Sequence, residues 1–191
     1  MKAGRAMFAL SIWPLTKAAF APFGEVVEAR DVQPKLINEG FASRFNDLAN
    51  IDVAAEGGEV NISLFIGSAR PKPIVIKLME RHPLGSQLFM PLNGAPWLVV
   101  VCTDPGVRSS YRAFAASGRQ GVNYARNCWH HPLLVVTDAS PFLVIDRKGA
   151  GENLEECRLE QEDWLYLDLD GSGAVSSTGP AARPRDDHRP A

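Results

Sequence analysis

The chain reads as a mainly all-β protein, an antiparallel β-barrel or jelly roll with a few short helices. Three observations predict this. Roughly ten short apolar runs, bounded by Gly, Pro, Asn or Asp, follow one another at the spacing of a sandwich or barrel. In one of them Val60, Ile62, Leu64 and Ile66 alternate with Asn61, Ser63 and Phe65, a period of two. Helix signals are sparse, the clearest lying between Thr16 and Phe23. A barrel suits the chain better than a sandwich, because its interior holds one small ligand and side chains from different strands converge there.

The elements follow in order. A first strand is expected up to Leu15, then a short helix capped by Thr16 and ended by Gly24, then a short strand over residues 25–29. Residues 31–58 are polar and irregular, punctuated by Gly40, Asn46, Asp47, Gly57 and Gly58. The strand at 60–66 comes next. Ile74, Ile76 and Leu78 then share one face of a strand; carried forward two at a time, that face reaches Glu80 and His82. Residues 88–92 form another strand, closed by Asn93-Gly94. The run 97–103 is almost continuously apolar, as in a strand buried on both faces, and Asp104-Pro105-Gly106 ends it with turn chemistry. Further strands are expected over 111–116, 129–137, 142–146 and 165–169.

Length and composition bound the possibilities. The 191 residues suit a single domain over 1–170, with 171–191 a disordered tail rich in Gly, Ser, Ala, Pro, Arg and Asp. Hydrophobic residues make up 46%, enough for a sizeable core. The net charge is −2 and no basic stripe is present, which argues against nucleic acid as a partner. No apolar run approaches the roughly 18 residues of a membrane-spanning helix. Near the N-terminus Ser11, Pro14 and Lys17 interrupt what a signal peptide needs as an unbroken apolar core, so a cytoplasmic protein is expected. Cys102, Cys128 and Cys157 are widely spaced and odd in number, as for reduced thiols.

Two polar clusters carry the chemistry. The first is Glu80-Arg81-His82-Pro83-Leu84-Gly85-Ser86-Gln87 and the second runs from Gly121 through Asn123, Tyr124, Arg126, Asn127, Cys128 and Trp129 to His130-His131-Pro132. On a strand Glu80 and His82 share a face, about 6.5–7 Å apart along the backbone. Burial in an apolar barrel would raise the Glu80 pKa and make it a general base near neutral pH. Glu80 equally suits an ion pair with Arg81 at a strand end. Of His130 and His131, adjacent on a strand, one enters the interior and the other faces elsewhere. Imidazoles from two strands suit a divalent transition metal, although a single buried histidine is more often a hydrogen-bonded core residue. Arg70, Arg81 and Arg126 lie near the clusters, and a guanidinium binds a carboxylate bidentately.

The first cluster, followed by Pro91-Leu92-x-Gly94, resembles a signature of the ureidoglycolate lyase family. Gly121-Val122-Asn123-Tyr124 and Trp129-His130-His131-Pro132-Leu133 are similar to its second motif, and Phe142-Leu143-Val144-Ile145-Asp146-Arg147 to a third. Pro14-Leu15-Thr16 with Phe20-Ala21-Pro22-Phe23-Gly24 resembles its opening. The likeness extends over residues 13–167. It implies a cupin-like barrel and a carbon–nitrogen lyase of the amidine-lyase class that converts (S)-ureidoglycolate to glyoxylate and urea in allantoin breakdown.

Laid on the cupin metal motifs, Glu80 stands for the first histidine, His82 is the second, Gln87 replaces the ligand glutamate and His130 falls on the last histidine. The implied catalytic residues are Glu80 and His82. The implied metal ligands are His82, Gln87 and His130, for a divalent ion of which nickel is the one associated with the family. Gln87 brings no charge, so the resemblance also allows a weakly held ion or none. Substrate contacts are expected from Arg70, Gln87, Tyr124, Arg126 and His131, and a homodimer is implied. Two other readings keep the barrel: a metal-dependent isomerase or dioxygenase, against which Gln87 counts, and a non-catalytic small-acid-binding cupin.

Overall fold

The computed structural model of the protein describes residues 8–169. The expected tail lies outside the described residues, as do the first seven. The elements are β1 (Phe8–Pro14), α1 (Lys17–Phe20), β2 (Gly24–Val27), β3 (Lys35–Ile37), β4 (Ala42–Arg44), β5 (Glu59–Gly67), β6 (Val75–Ile76), β7 (Leu78–Arg81) and β8 (Gln87–Pro91). They continue with β9 (Gly94–Cys102), β10 (Arg112–Gly118), β11 (Gly121–Tyr124), β12 (Trp129–His130), β13 (Leu134–Val135), β14 (Ser140–Lys148), β15 (Glu155–Arg158) and β16 (Leu165–Asp168).

Two sheets face each other and curl around the interior. The larger has the order β15-β7-β12-β9-β10-β1-β16-β6, with β13 also on β9; the smaller has the order β2-β11-β8-β14-β5. Pairing is antiparallel except where β1 lies parallel to β10 and β16. The mainly all-β, largely antiparallel fold expected from the sequence is the fold observed.

β9 explains why its sequence lacks alternation. Trp97, Val99 and Val101 point between the sheets and pack with Phe89, Val122, Phe142 and Val144 of the smaller one. Leu98, Val100 and Cys102 point the other way, into a second core with Ile12, Ile76, Met79 and Leu165. Each such fully buried aliphatic side chain contributes on the order of 1.5–3 kcal/mol. The helix is shorter than expected. Thr16 caps it, its hydroxyl accepting from the Ala19 amide at 3.2 Å, and it ends by Ala21. Gly24 opens β2 at φ +145°, where a Cβ would sit 2.0 Å from the Asn123 carbonyl oxygen, so the close approach of β2 to β11 requires glycine.

Three expectations change. Residues 31–58 are not wholly irregular: they hold the β3–β4 hairpin and two short 3₁₀ turns. The period of two does not run unbroken from Ile74 to His82. Lys77 breaks the ladder, and Ile74, Ile76 and Met79 share the second core, so the parity switches between β6 and β7. Glu80 still reaches the interior, through that break. The strand expected over 129–137 is two short strands, β12 and β13, separated by the chain around Pro132.

Candidate active site

Four residues meet between the sheets. Glu80 lies on β7 directly across from His130 on β12, and that register brings Glu80 Oε1 to 3.5 Å from His130 Nε2. His82 follows the end of β7, and its ring centroid is 5.3 Å from that of His130. Ligand atoms of Glu80, His82 and His130 all lie within 4.8 Å of one another. Gln87 enters from the opposite sheet at the start of β8, with Oε1 3.2 Å from His130 Nε2.

Backbone carbonyls fix both imidazoles. A carbonyl only accepts, so His82 Nδ1–H donates to the Asn153 oxygen at 2.7 Å and His130 Nδ1–H to the Cys128 oxygen at 2.9 Å. Each Nε2 thereby faces the centre, offering a lone pair in the neutral ring and, on His130, an N–H toward the Glu80 carboxylate when the ring is protonated. His82 Nε2 is buried and has no hydrogen-bond partner. The centre is therefore ringed by acceptors: two imidazole nitrogens, a carboxylate oxygen and an amide oxygen. That donor set fits a divalent transition ion, and the second carbonyl contact on each ring is how metal-binding histidines are ordinarily oriented.

Electrostatics correct one expectation. Burial does push the Glu80 pKa up, but the hydrogen bond to His130 and the charges of His130, His82 and His131 outweigh it. The carboxyl is held below its ordinary range, not above it. Glu80 is thus a carboxylate at neutral pH and the weaker base for it. Tyr124 is fully enclosed, and burial raises its pKa, so it remains a phenol; its ring lies on that of His130.

The remaining candidates are placed as follows. His131 is buried and apart from the four-residue centre. Its Nδ1–H donates to the Pro132 oxygen at 2.7 Å, and burial, with Arg70 nearby, lowers its pKa to about 4. With Arg70, Lys77 and Leu78 it lines a cavity of about 230 Å³ flanking β7. Arg126 is directed to Asp52, its Nε 3.5 Å from the carboxylate. Arg81 stacks on Trp129 and pairs with Glu155, which accounts for a charge the sequence had left beside Glu80. Burial raises the Cys102 and Cys128 thiols to about 12, as for inert structural cysteines.

Sequence reasoning missed Lys77, Asn153, Asp146 and Asn61. Asp146 had a signal: it is two residues on from Val144 and four from Phe142, both buried inward on β14. Asn153 had none, because it acts through a loop carbonyl.

Comparison with known proteins agrees with the motifs. Residues 7–166 match the family model described as ureidoglycolate lyase. A protein of Rhizobium meliloti (strain 1021) named ureidoglycolate lyase 1 is 54% identical over 153 residues, 80% of this chain and 90% of the relative. A Burkholderia mallei (strain NCTC 10229) protein named ureidoglycolate lyase is 51% identical over 163 residues, covering 85% and 96%. Among solved structures, oxalate decarboxylase from Bacillus subtilis overlaps 56% of this chain and 29% of its own at 14% identity and a TM-score of 0.32, a likeness too slight to bear on the reaction. On the family model and the identity across nearly the whole length of these relatives, the chain belongs to the ureidoglycolate lyase family.

Proposed function

We propose that the protein is a carbon–nitrogen lyase that splits (S)-ureidoglycolate into glyoxylate and urea. The observation that carries this reading is the convergence of Glu80, His82, Gln87 and His130 on one interior point in a chain of this family. No observation favours an isomerase, a dioxygenase or a non-catalytic binding protein.

The substrate carries a hydroxyl and a urea nitrogen on one carbon. Loss of the hydroxyl proton lets the C–O bond become C=O while the C–N bond breaks, and the departing nitrogen gains a proton. Glu80, ionised at neutral pH, takes the hydroxyl proton. His82, whose Nε2 the Asn153 contact leaves as an acceptor facing the reacting group, relays that proton from Glu80 to the leaving urea nitrogen. Arg70, with His131 and Lys77 around the adjacent cavity, supports binding of the substrate carboxylate, and Tyr124, Gln87 and Arg126 complete the substrate contacts we assign. A divalent ion, nickel or another, would be held by His82, Gln87 and His130 with Glu80. When bound it would polarise the substrate hydroxyl.

The reading extends to assembly and place. On β5, the edge strand of the smaller sheet, Ile62, Leu64 and Ile66 are 66%, 65% and 64% exposed, and a contiguous apolar edge of this kind supports pairing with a second copy. We place the protein in the cytoplasm and assign activity to residues 1–170 alone. Among the described residues no helix is long and apolar enough to cross a membrane. The deciding assay follows glyoxylate and urea released together from (S)-ureidoglycolate, with and without added nickel or manganese. Equal molar release of both supports the lyase, and absence of glyoxylate under every metal condition refutes it.

A further inference from the structure

We infer that Asp146, held by Asn61, is a positioning residue that fixes which end of the Gln87 amide faces the centre, making Gln87 an oxygen ligand in place of an N–H donor. The inference rests on reading that centre as a cation site. A glutamine amide has one acceptor end and one donor end, and a cation accepts only the first. Nothing in the sequence of Gln87 itself decides between them.

The neighbours decide. Gln87 Nε2 lies 3.5 Å from Asp146 Oδ2, and Asp146 Oδ1 accepts from Asn61 Nδ2 at 2.8 Å. Asp146 and Asn61 are register partners on β14 and β5, so the sheet sets their separation. The Gln87–Asp146 bond is long and weak, yet its sign is what matters. Turning the amide over would aim Oε1 at a carboxylate oxygen, lone pair against lone pair. In the observed orientation Nε2 of Gln87 is turned to Asp146 and Oε1 faces the centre, 3.2 Å from His130 Nε2. Asp146 thus keeps the acceptor end of the amide at the centre, where a cation takes it without any rearrangement.

The carboxylate is essential to this effect, because it presents an acceptor to Gln87 whichever way it turns, and an amide in its place removes the constraint. In Asp146→Asn the Asn61 amide can meet either end of the new amide, so Gln87 is free to turn and direct its own NH₂ at the centre. Exchanging the two residues, Asn61→Asp with Asp146→Asn, restores the original sense: Asp at 61 accepts from Asn at 146, whose oxygen again accepts from Gln87.

Calorimetric titration of the metal-free proteins with manganese(II) and with nickel(II) tests this, beside NMR contacts of the Gln87 amide protons in the absence of metal. Outer partners of metal ligands typically contribute about 10–100-fold in affinity. Asp146→Asn is expected to bind at least about tenfold more weakly and to show a new contact between the Gln87 amide protons and the His130 Hε1 proton. The exchanged pair is expected to regain affinity to within about threefold and to lose that contact. An Asp146→Asn protein with parental affinity and no new contact overturns the inference. So does an exchanged pair that folds but shows no recovery. If the parent binds neither ion, the cation reading fails, while the amide contacts in parent and variants still decide how Gln87 is held.

Discussion

The ring of Tyr124 lies flat on that of His130, 4.1 Å between centroids and 11° from parallel. Tyr124 is carried by β11 in the smaller sheet and His130 by β12 in the larger, so the stack bridges the interior and holds the imidazole plane while Cys128 holds its Nδ1. Tyr124→Phe keeps the stack and removes only the phenol contact, and is expected to retain turnover within a few-fold while raising the Michaelis constant. Tyr124→Ala removes a buried aromatic and is expected to lower stability by about 3–5 kcal/mol. Urea unfolding of both variants, with initial rates, checks the contrast; equal loss of turnover in both would assign the effect to the phenol oxygen.

His131 makes stability depend on pH in a defined direction. Its folded-state pKa is about 4, below the ordinary 6.5, chiefly through burial. As pH falls below 6.5 the unfolded chain binds a proton that the folded one refuses. The contribution is therefore full above 6.5 and is lost progressively down to pH 4, amounting to about 3 kcal/mol. The depressed carboxyl of Glu80 acts in the same sense but at lower pH, below its ordinary 4.5. Denaturant melts at pH 7.5, 5.5 and 4.5 should show the midpoint falling, with a smaller fall in His131→Gln. A flat profile would mean that His131 takes up its proton in the fold as readily as in the unfolded chain.

The β5 face predicts assembly through aliphatic side chains. Ile62→Lys with Leu64→Lys places two charges in the exposed stripe. The expected outcome is a shift from dimer to monomer by light scattering after gel filtration, with the fold kept because neither side chain enters a core. A parent that is monomeric at tens of micromolar, or a variant that stays dimeric, would assign the stripe no part in assembly.

Much of this architecture is written locally in the chain. β9 was readable because burial on both faces leaves an unbroken apolar run, and Thr16 because capping is a matter of a few neighbouring residues. The meeting of Glu80, His82, Gln87 and His130 was readable because the two motifs carry them. Other features depend on tertiary placement. The parity switch at Lys77 is invisible to a period-two count, since it arises from β6 pairing with β16 while β7 pairs with β12 and β15. β5 alternates perfectly, yet its aliphatic set faces outward while Asn61 and Phe65 face in; periodicity gives two faces and does not say which is covered. The Glu80 pKa went the other way because burial was foreseen and the three neighbouring imidazoles were not weighed against it.

The most direct measurement is the maximal rate of glyoxylate release by Glu80→Gln beside the parent, each with and without added nickel or manganese. The amide preserves volume and removes the basic form, and general-base catalysis contributes on the order of 10²–10⁴-fold. A loss of that size, with the melting temperature close to the parent's and the Michaelis constant moved far less, is the expected result. Near-parental turnover by Glu80→Gln would contradict the account and leave Glu80 as an ion-pair partner of His130.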